Sequence, residues 1–363
     1  MSQPIISRGQ LAAMLICARC FSLLTFAPRT MPAYEGSVVM LSQLAATVIT
    51  WILLQPMLLL SQKRDGMGTM EAAFLVNKRG GRLSALVLWL LLVLLGADAL
   101  AHFQYFLSGA IYPGASPMIF VLLLAAACGY SAAMGVEAVG RMSALVVFAF
   151  FISIAAVTAV LLPQARLVNV TSPLFDGARP VVEATVSALI GNADLLVLPV
   201  LLPMCGKDSR VPTAWFLFGS LVLYELIPFL TLTVMGQYSR TRLFPVYTLM
   251  TIAQVSVFER LDILHLGLWI LIALIKVSVY LIAARQMLDY VWVNKGRYSP
   301  LFVTIGSTAA AALFATYAAP EPASPLSRMV TGGALLLFAV IIPVVELLIL
   351  RFGKNGQPKE EAK

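Results

Sequence analysis

Charged residues are scarce in this chain. Asp, Glu, Lys and Arg make up 12 % of its 363 residues, whereas hydrophobic residues make up 60 %. Soluble domains usually carry about 25 % charged residues, because their surfaces face water. Long polar stretches are also missing, since the connections between apolar segments reach only about 20 residues. These absences exclude a soluble domain and indicate an integral membrane protein, in which the few polar residues at depth mark the function.

Histidine and cysteine are rare as well. The two histidines are too few for a histidine-rich metal cluster. Asp98 and His102 form the one candidate catalytic dyad, and no nucleophile completes it. We therefore expect no metal, no cofactor and no enzymatic activity. The four cysteines lie in or at the ends of apolar segments and are interpreted as packing residues: Cys17, Cys20, Cys128 and Cys205.

Ten apolar segments are long enough to cross a bilayer as α-helices, for which about 20 residues suffice. They are too long and too evenly apolar to be strands of a barrel. The sequence therefore predicts an all-α polytopic membrane protein with about ten transmembrane helices. The predicted spans are 9–28, 36–60, 83–107, 117–136, 142–163, 180–205, 213–236, 260–285, 300–318 and 327–351.

Positive charge is divided unequally between the two sides of this predicted bundle. With the N-terminus in the cytoplasm, 16 Lys and Arg residues fall on the cytoplasmic side and seven on the other. This bias satisfies the positive-inside rule, and ten spans return the tail at 352–363 to the cytoplasm. The net charge of +8 is scattered over loop ends, so the expected partner is the lipid bilayer and not a nucleic acid.

The chain divides into two halves of five spans, approximately 1–165 and 166–351, within a single transmembrane domain. An odd number of spans inverts the second half relative to the first, as in transporters built from inverted repeats. The first span of each half carries polar residues in its middle, which predicts discontinuous helices 1 and 6 around a midplane substrate site. These polar residues are Arg19, Cys20 and Ser22 in span 1, and Gly191, Asn192 and Asp194 in span 6.

Span 8 carries a row of polar and amphipathic residues on one face. On an ideal helix this row falls within an arc of about 100°, so the face is expected to look into the bundle. Lys276 either snorkels to the cytoplasmic interface or acts as a fixed cation that replaces a coupling ion or shuttles a proton. Asp262 and Tyr280 are assigned the same ion-replacing or coupling role. The row consists of Glu259, Asp262, Trp269, Lys276 and Tyr280.

Span 3 and span 1 supply further candidates. Asp98, His102 and Tyr105 share one face of span 3, where they form either an internal brace or a lining of the substrate cavity. Arg19 either binds a substrate carboxylate or neutralises Asp98 or Asp194. The predicted substrate-binding residues are Arg19, Cys20, Phe21, Ser22, Asp98, His102, Tyr105, Gly191, Asn192, Asp194 and Trp269.

Several motifs resemble those of one known family. The chain is similar to the spore germination permease family, the B subunits of nutrient germinant receptors. The family usually has glutamate at the position of Asp194 and glycine at the position of Phe21. The matching motifs are Ile6-Ser7-Arg8-Gly9-Gln10, Gly191 with Asp194 and Pro203, Phe244-Pro245, Glu259-Arg260-Leu261-Asp262, Trp269, Lys276-Val277-Ser278 and Tyr280.

The resemblance covers essentially the whole chain and implies the amino acid–polyamine–organocation superfamily, with a LeuT-like fold of five plus five spans. It implies a subunit that senses a small nutrient, usually an amino acid, at a mid-membrane site between helices 1, 3, 6 and 8. The implied partners are an A-type membrane subunit and a C-type lipoprotein, in the inner spore membrane or the bacterial cell membrane. The alternative is a sodium-independent amino acid transporter that moves its substrate by alternating access.

Overall fold

The computed structural model describes residues 5–25, 36–63, 66, 68–206, 210–253, 261–291, 300–317 and 325–352. All regular structure within these ranges is helical. The α-helices are α1 Arg8–Thr25, α2 Gly36–Lys63, α3 Thr69–Val76, α4 Lys78–Phe106, α5 Pro117–Met134, α6 Val136–Leu161, α7 Arg179–Ile190, α8 Leu198–Leu201, α9 Arg210–Leu230, α10 Pro245–Ile252, α11 Leu261–Val291, α12 Pro300–Tyr317, α13 Pro325–Leu336 and α14 Ile342–Phe352. Short π-helical turns extend α4 and α9 and join α13 to α14.

The predicted spans correspond to these helices. Within the described part of the chain, eight helical stretches are long and apolar enough to cross a membrane, and they match all predicted spans except 1 and 9. Spans 1 and 9 are present as α1 and α12, each of 18 residues. The chain is therefore an integral membrane protein, whose expected orientation stays a prediction from the charge bias.

Span 6 is interrupted, as the sequence predicts. The helix α7 ends before Gly191, Ala193–Val197 form a 3-10 helix, and α8 is only four residues long. Glycine favours the interruption through its low helix propensity, and Pro199 and Pro203 lack the N–H that a regular helix requires. We call residues 191–197 the break. The break packs against α1, α4 and α11.

The discontinuity predicted for span 1 is wrong for the residues that motivated it. The helix α1 is regular from Arg8 to Thr25 and passes through Arg19, Cys20, Phe21 and Ser22. No glycine or proline follows Gly9 within this helix, so its backbone has no reason to open there. Residues 26–35 lie outside the described part of the chain. The polar residues of span 1 are therefore presented from a helical face.

The long helix α11 occupies the centre of the fold. It packs against α1, α4, α5 and α6, and 72 % of its most apolar stretch is buried. The corresponding fraction for α5 and α6 is 28 %, because these helices turn broad apolar faces outward. A helix buried on most of its sides has to satisfy its polar groups within the protein. The partners of the polar residues of α11 therefore define the candidate site.

Candidate functional site

The polar face of α11 looks into the bundle, which confirms the prediction for span 8. Trp269, Lys276 and Tyr280 are only 1 %, 6 % and 1 % exposed. Asp262 lies in the first turn of α11, but its side chain is outside the described part of the structure, as is the whole of Glu259. The three described residues of this face all contact α1 or the break.

Lys276 forms a buried ion pair with Asp194. Its Nζ lies 3.0 Å from Asp194 Oδ1 and donates a hydrogen bond of 2.9 Å to Ser22 Oγ. The hydroxyl of Tyr280 donates to the same Asp194 oxygen at 2.5 Å. We call Lys276 and Asp194 the central pair. The pair joins α1, the break and α11, and it excludes the alternative in which Lys276 snorkels to the membrane surface.

Two aromatic rings complete the surroundings of the Lys276 ammonium group. Its Nζ lies 5.4 Å from the ring centroid of Phe21 and 5.8 Å from that of Tyr280. Aromatic faces attract cations electrostatically, and the attraction strengthens where water is excluded. The ammonium group is therefore compensated by a carboxylate, a hydroxyl and two rings.

Aromatic side chains form a layer next to the central pair. The Trp269 ring stacks on Phe21 and Phe103, with centroids 5.6 Å and 5.0 Å away, and contacts Phe106 at 4.5 Å. Its Nε1 donates to Thr25 Oγ1 at 2.9 Å, and this hydroxyl donates to the Phe21 carbonyl. We call Phe21, Phe103, Phe106 and Trp269 the aromatic layer. Phe21 fills space that a glycine at this position would leave open.

Arg19 lies on α1 one helical turn before Ser22 and makes contacts other than those of the central pair. Its guanidinium carbon is 5.3 Å from the ring centroid of Tyr224 on α9, and the residue is 7 % exposed. Asp194 pairs with Lys276 and Asp98 lies beside His102, and no ion pair joins Arg19 to either carboxylate. Neutralisation of either carboxylate by Arg19 stays a prediction. The guanidinium group borders a small cavity, the Arg19 cavity, whose polar lining is Gln43, Thr47, Thr50, Asn192, Ser220 and Tyr224.

Asp98 and His102 contact each other within α4, which agrees only in part with the predicted internal brace. His102 Nδ1 lies 3.2 Å from Asp98 Oδ2 and 2.9 Å from the Asp98 carbonyl oxygen. The Asp98 side chain is 59 % exposed. Tyr105 packs edge-on against Phe244 at 6.0 Å. A role of these residues in lining a substrate cavity stays a prediction.

The remaining predicted residues lie at the break or beside it. Asn192 is 1 % exposed, and its Nδ2 donates to Thr50 Oγ1 on α2 at 2.8 Å. Gly191 closes the last turn of α7 through its N–H, which donates to the Ser187 carbonyl at 2.9 Å. Cys20 is buried on α1 next to Arg19 and Phe21. The structure thus brings residues of α1, the break and α11 together. Asp98 and His102 contact each other on α4, and Tyr105 contacts Phe244, which packs on Phe106 of the aromatic layer.

Sequence reasoning missed several residues of the site. Thr25, Phe103 and Phe106 complete the aromatic layer, yet a hydrophobic pattern does not distinguish them from ordinary core residues. A usable signal did exist in span 2. Gln43, Thr47 and Thr50 recur at spacings of four and three residues, which places them on one helix face, as for the polar residues of span 3.

A second cavity, of about 200 Å³, lies near the C-terminal end of α11 and is larger than the Arg19 cavity. Glu71 and Tyr290 both line it, and the Tyr290 hydroxyl donates to Glu71 Oε1 at 3.3 Å. The ring of Phe74 stacks on that of Tyr290, with centroids 5.1 Å apart. These contacts join α3 to α11, so α3 covers this end of the bundle.

The fold is similar to that of a solved membrane transporter. A Na+-coupled sialic acid symporter, in a substrate-bound outward-open state, matches with a TM-score of 0.61 at 13 % identity, over 95 % of this chain and 84 % of that chain. The likeness confirms the predicted LeuT-like fold of an all-α membrane protein. A comparison with curated protein sequences finds no match.

A family model agrees with the motifs in the sequence. The model described as "Spore germination protein" matches residues 6–321, which include α1, the break and α11. The match contains both members of the central pair and the whole aromatic layer. It covers most of the 363 residues. The chain therefore belongs to the spore germination protein family of transporter-like membrane proteins.

Proposed function

We propose that this chain is the ligand-sensing membrane subunit of a spore germination receptor. The ligand, a small nutrient such as an amino acid, binds between α1, the break, α4 and α11. The observation that carries this proposal is the central pair, in which Lys276 of α11 contacts Asp194 of span 6. The interruption of span 6 is predicted from the sequence and is present in the structure. Interrupted helices at mid-membrane depth are typical substrate sites of transporters with inverted repeats.

The chemistry of the central pair suits a zwitterionic ligand. The carboxylate of an amino acid can replace Asp194 as the partner of Lys276, while its ammonium group pairs with Asp194. Each buried charge then keeps an opposite charge, and so avoids the large penalty of an unpaired buried ion. The aromatic layer lies next to the pair, where it can contact an apolar ligand side chain.

Sensing requires that the ligand favour one packing of the bundle over another. Exchange of partners at the central pair alters the link between α1 and α11, which belong to different halves, 1–165 and 166–351. We propose that the two halves shift relative to each other, and that an A-type membrane subunit and a C-type lipoprotein read the shift. The setting is the inner spore membrane or the cell membrane, with both termini on the spore-core or cytoplasmic side.

A second candidate function is sodium-independent amino acid transport. The fold resembles that of a Na+-coupled symporter, and Lys276 supplies a fixed positive charge inside this bundle. A transporter with this arrangement would use the central pair in place of a coupling ion and alternate access by movement of one half against the other.

The test is a thermal-unfolding screen of the purified protein against amino acids, sugars and nucleosides. A ligand that binds only the folded state raises the apparent stability by about 2.7 kcal/mol at a hundredfold excess over its Kd. We expect one class of amino acid to raise the unfolding temperature of the wild type, and Asp194→Asn to lose this rise. Arg141→Gln is the matched control, because Arg141 pairs with Glu137 on the exposed surface of α6.

Two outcomes would contradict the proposal. If no compound stabilises the wild type, alone or with its co-expressed partner subunits, the sensing function fails. If Asp194→Asn keeps the full ligand response, the ligand binds elsewhere. Uptake of the identified ligand into sodium-free proteoliposomes decides between the two candidate functions, since a sensor binds without net uptake.

A further inference from the structure

The Arg19 cavity is separate from the central pair and has its own chemistry. It lies between α1, α2, α9 and the break, and its volume of about 10 Å³ leaves room for about one water-sized particle. Its walls carry hydroxyl and amide groups from Thr47, Thr50, Ser220, Gln43 and Asn192. Leu217 and Leu221 complete the lining, which is therefore partly polar and partly apolar.

Several polar atoms at this cavity are buried without a hydrogen-bond partner. They include Arg19 Nε, Arg19 Nη1 and Ser220 Oγ, and the carboxamide oxygen of Asn192. An unpartnered buried donor is costly, and more so when it belongs to a cation. Rotation of the Asn192 amide by half a turn exchanges its oxygen and nitrogen. Thr50 can then donate to the oxygen, and the amide N–H groups turn towards the cavity.

The charged groups around α1 are paired to different extents. Within the described part of the chain, Lys276 is neutralised by Asp194, and His102 lies beside Asp98. Arg19 is buried to 93 %, and its guanidinium carbon lies 5.3 Å from the centroid of the Tyr224 ring. Arg19 therefore has no ion-pair partner among the described residues at the side of α1 that faces α2 and α9. A single negative charge in the Arg19 cavity would balance its charge.

We propose that the Arg19 cavity binds a monovalent inorganic anion of the size of chloride. The guanidinium N–H groups, the Ser220 hydroxyl and the reoriented Asn192 amide are the donors that surround it. A water molecule fits the space but supplies no negative charge. An amino acid or even acetate has too many heavy atoms for the cavity. Because Asn192 belongs to the break, the bound anion holds the break against α1 and α2.

The experiment measures the unfolding temperature of the purified protein against chloride concentration, with gluconate keeping the ionic strength constant. We expect a saturable rise with chloride and with bromide. Arg19→Gln should abolish the rise. Ser220→Ala should raise the half-saturating concentration about tenfold, which corresponds to about 1.4 kcal/mol. Arg141→Gln, which alters an exposed arginine, should respond like the wild type.

A direct measurement keeps the proposal testable if Arg19→Gln folds poorly. Equilibrium dialysis of the wild type with radioactive chloride should give about one bound ion per chain, displaced by bromide. Three results would overturn the proposal: no halide-specific rise in unfolding temperature, an unchanged rise in Arg19→Gln, or no bound chloride in dialysis. An Arg19-dependent rise with acetate or alanine, but not with halides, would also overturn the proposal, because Arg19 would then bind the carboxylate of an organic ligand.

Discussion

Two buried cations lie near α1, and their surroundings differ. Lys276 has a carboxylate at 3.0 Å, a hydroxyl acceptor at 2.9 Å and two aromatic faces. Arg19 has one aromatic face at 5.3 Å, and two of its three guanidinium nitrogens lack a hydrogen-bond partner. The two residues are almost equally buried, at 6 % and 7 % exposure. Depth in the fold therefore does not decide how a buried charge is satisfied.

The difference shows what the interruption of span 6 achieves. A carboxylate reaches Lys276 because the break presents Asp194 towards α11. Among the residues that the structure describes, no acidic residue is presented in the same way to Arg19, which faces amide and hydroxyl groups of α2, α9 and the break. The central pair is suited to exchange its partners for the charged groups of a ligand. Arg19, which has no ion-pair partner in the described part of the chain, is suited to hold an anion from solution.

The largest expected effect comes from breaking the central pair. Lys276→Met removes the ammonium group and leaves Asp194 buried without a counter-charge, which should cost about 3–5 kcal/mol of unfolding free energy. The double variant Lys276→Met with Asp194→Leu should recover most of this loss, because an apolar pair replaces an ionic one. Both variants should lose the ligand response. Unfolding in detergent, followed by circular dichroism, measures the stability changes.

The control for this comparison is an ion pair on the surface. In Arg141→Met the partner Glu137 stays solvated, since the two side chains are 71 % and 54 % exposed, and the loss should be no more than about 1 kcal/mol. A Lys276→Met protein that is as stable as this control and still responds to ligand would show that the central pair has no functional role.

A smaller effect of opposite sign is expected at Arg19. In chloride-free buffer, Arg19→Met removes an uncompensated buried charge, while it also removes a cation–aromatic contact worth about 1–2 kcal/mol. The net result should be unchanged stability or a gain of about 1 kcal/mol. The same unfolding measurement applies. A loss as large as that of Lys276→Met would show that Arg19 is already neutralised within the protein.

The periodic polar face of α11 could be predicted from the sequence for a physical reason. Charged groups at membrane depth are costly, so they lie on interior faces, and helical geometry fixes which residues share a face. The same reasoning located the break, since Gly191 and the two prolines weaken the helix wherever it packs. Trp269, Lys276 and Tyr280 were therefore found together.

The prediction failed where it relied on symmetry between the halves. A break in span 1 was inferred from the polar residues at the matching position, although the local sequence has no glycine or proline there. The partners of Arg19 and Trp269 come from distant spans, and no local pattern specifies which helices meet. Phe103 and Phe106 are separated from Trp269 by more than 160 positions, so only the fold brings these rings together.

A further expected effect distinguishes the surroundings of the two buried cations. Trp269→Phe keeps an aromatic ring in the layer but removes the indole N–H that donates to Thr25, which should cost about 1 kcal/mol. Trp89→Phe is a matched control, because its indole donates to Ser307 at 3.2 Å, away from both cations. Unfolding measurements should give similar losses for the two variants. Only Trp269→Phe should weaken the amino acid response, and neither should change the chloride response. Loss of the chloride response in Trp269→Phe would mean that the two buried cations act as one site, since the aromatic layer contacts Lys276 through Phe21 and not the Arg19 cavity.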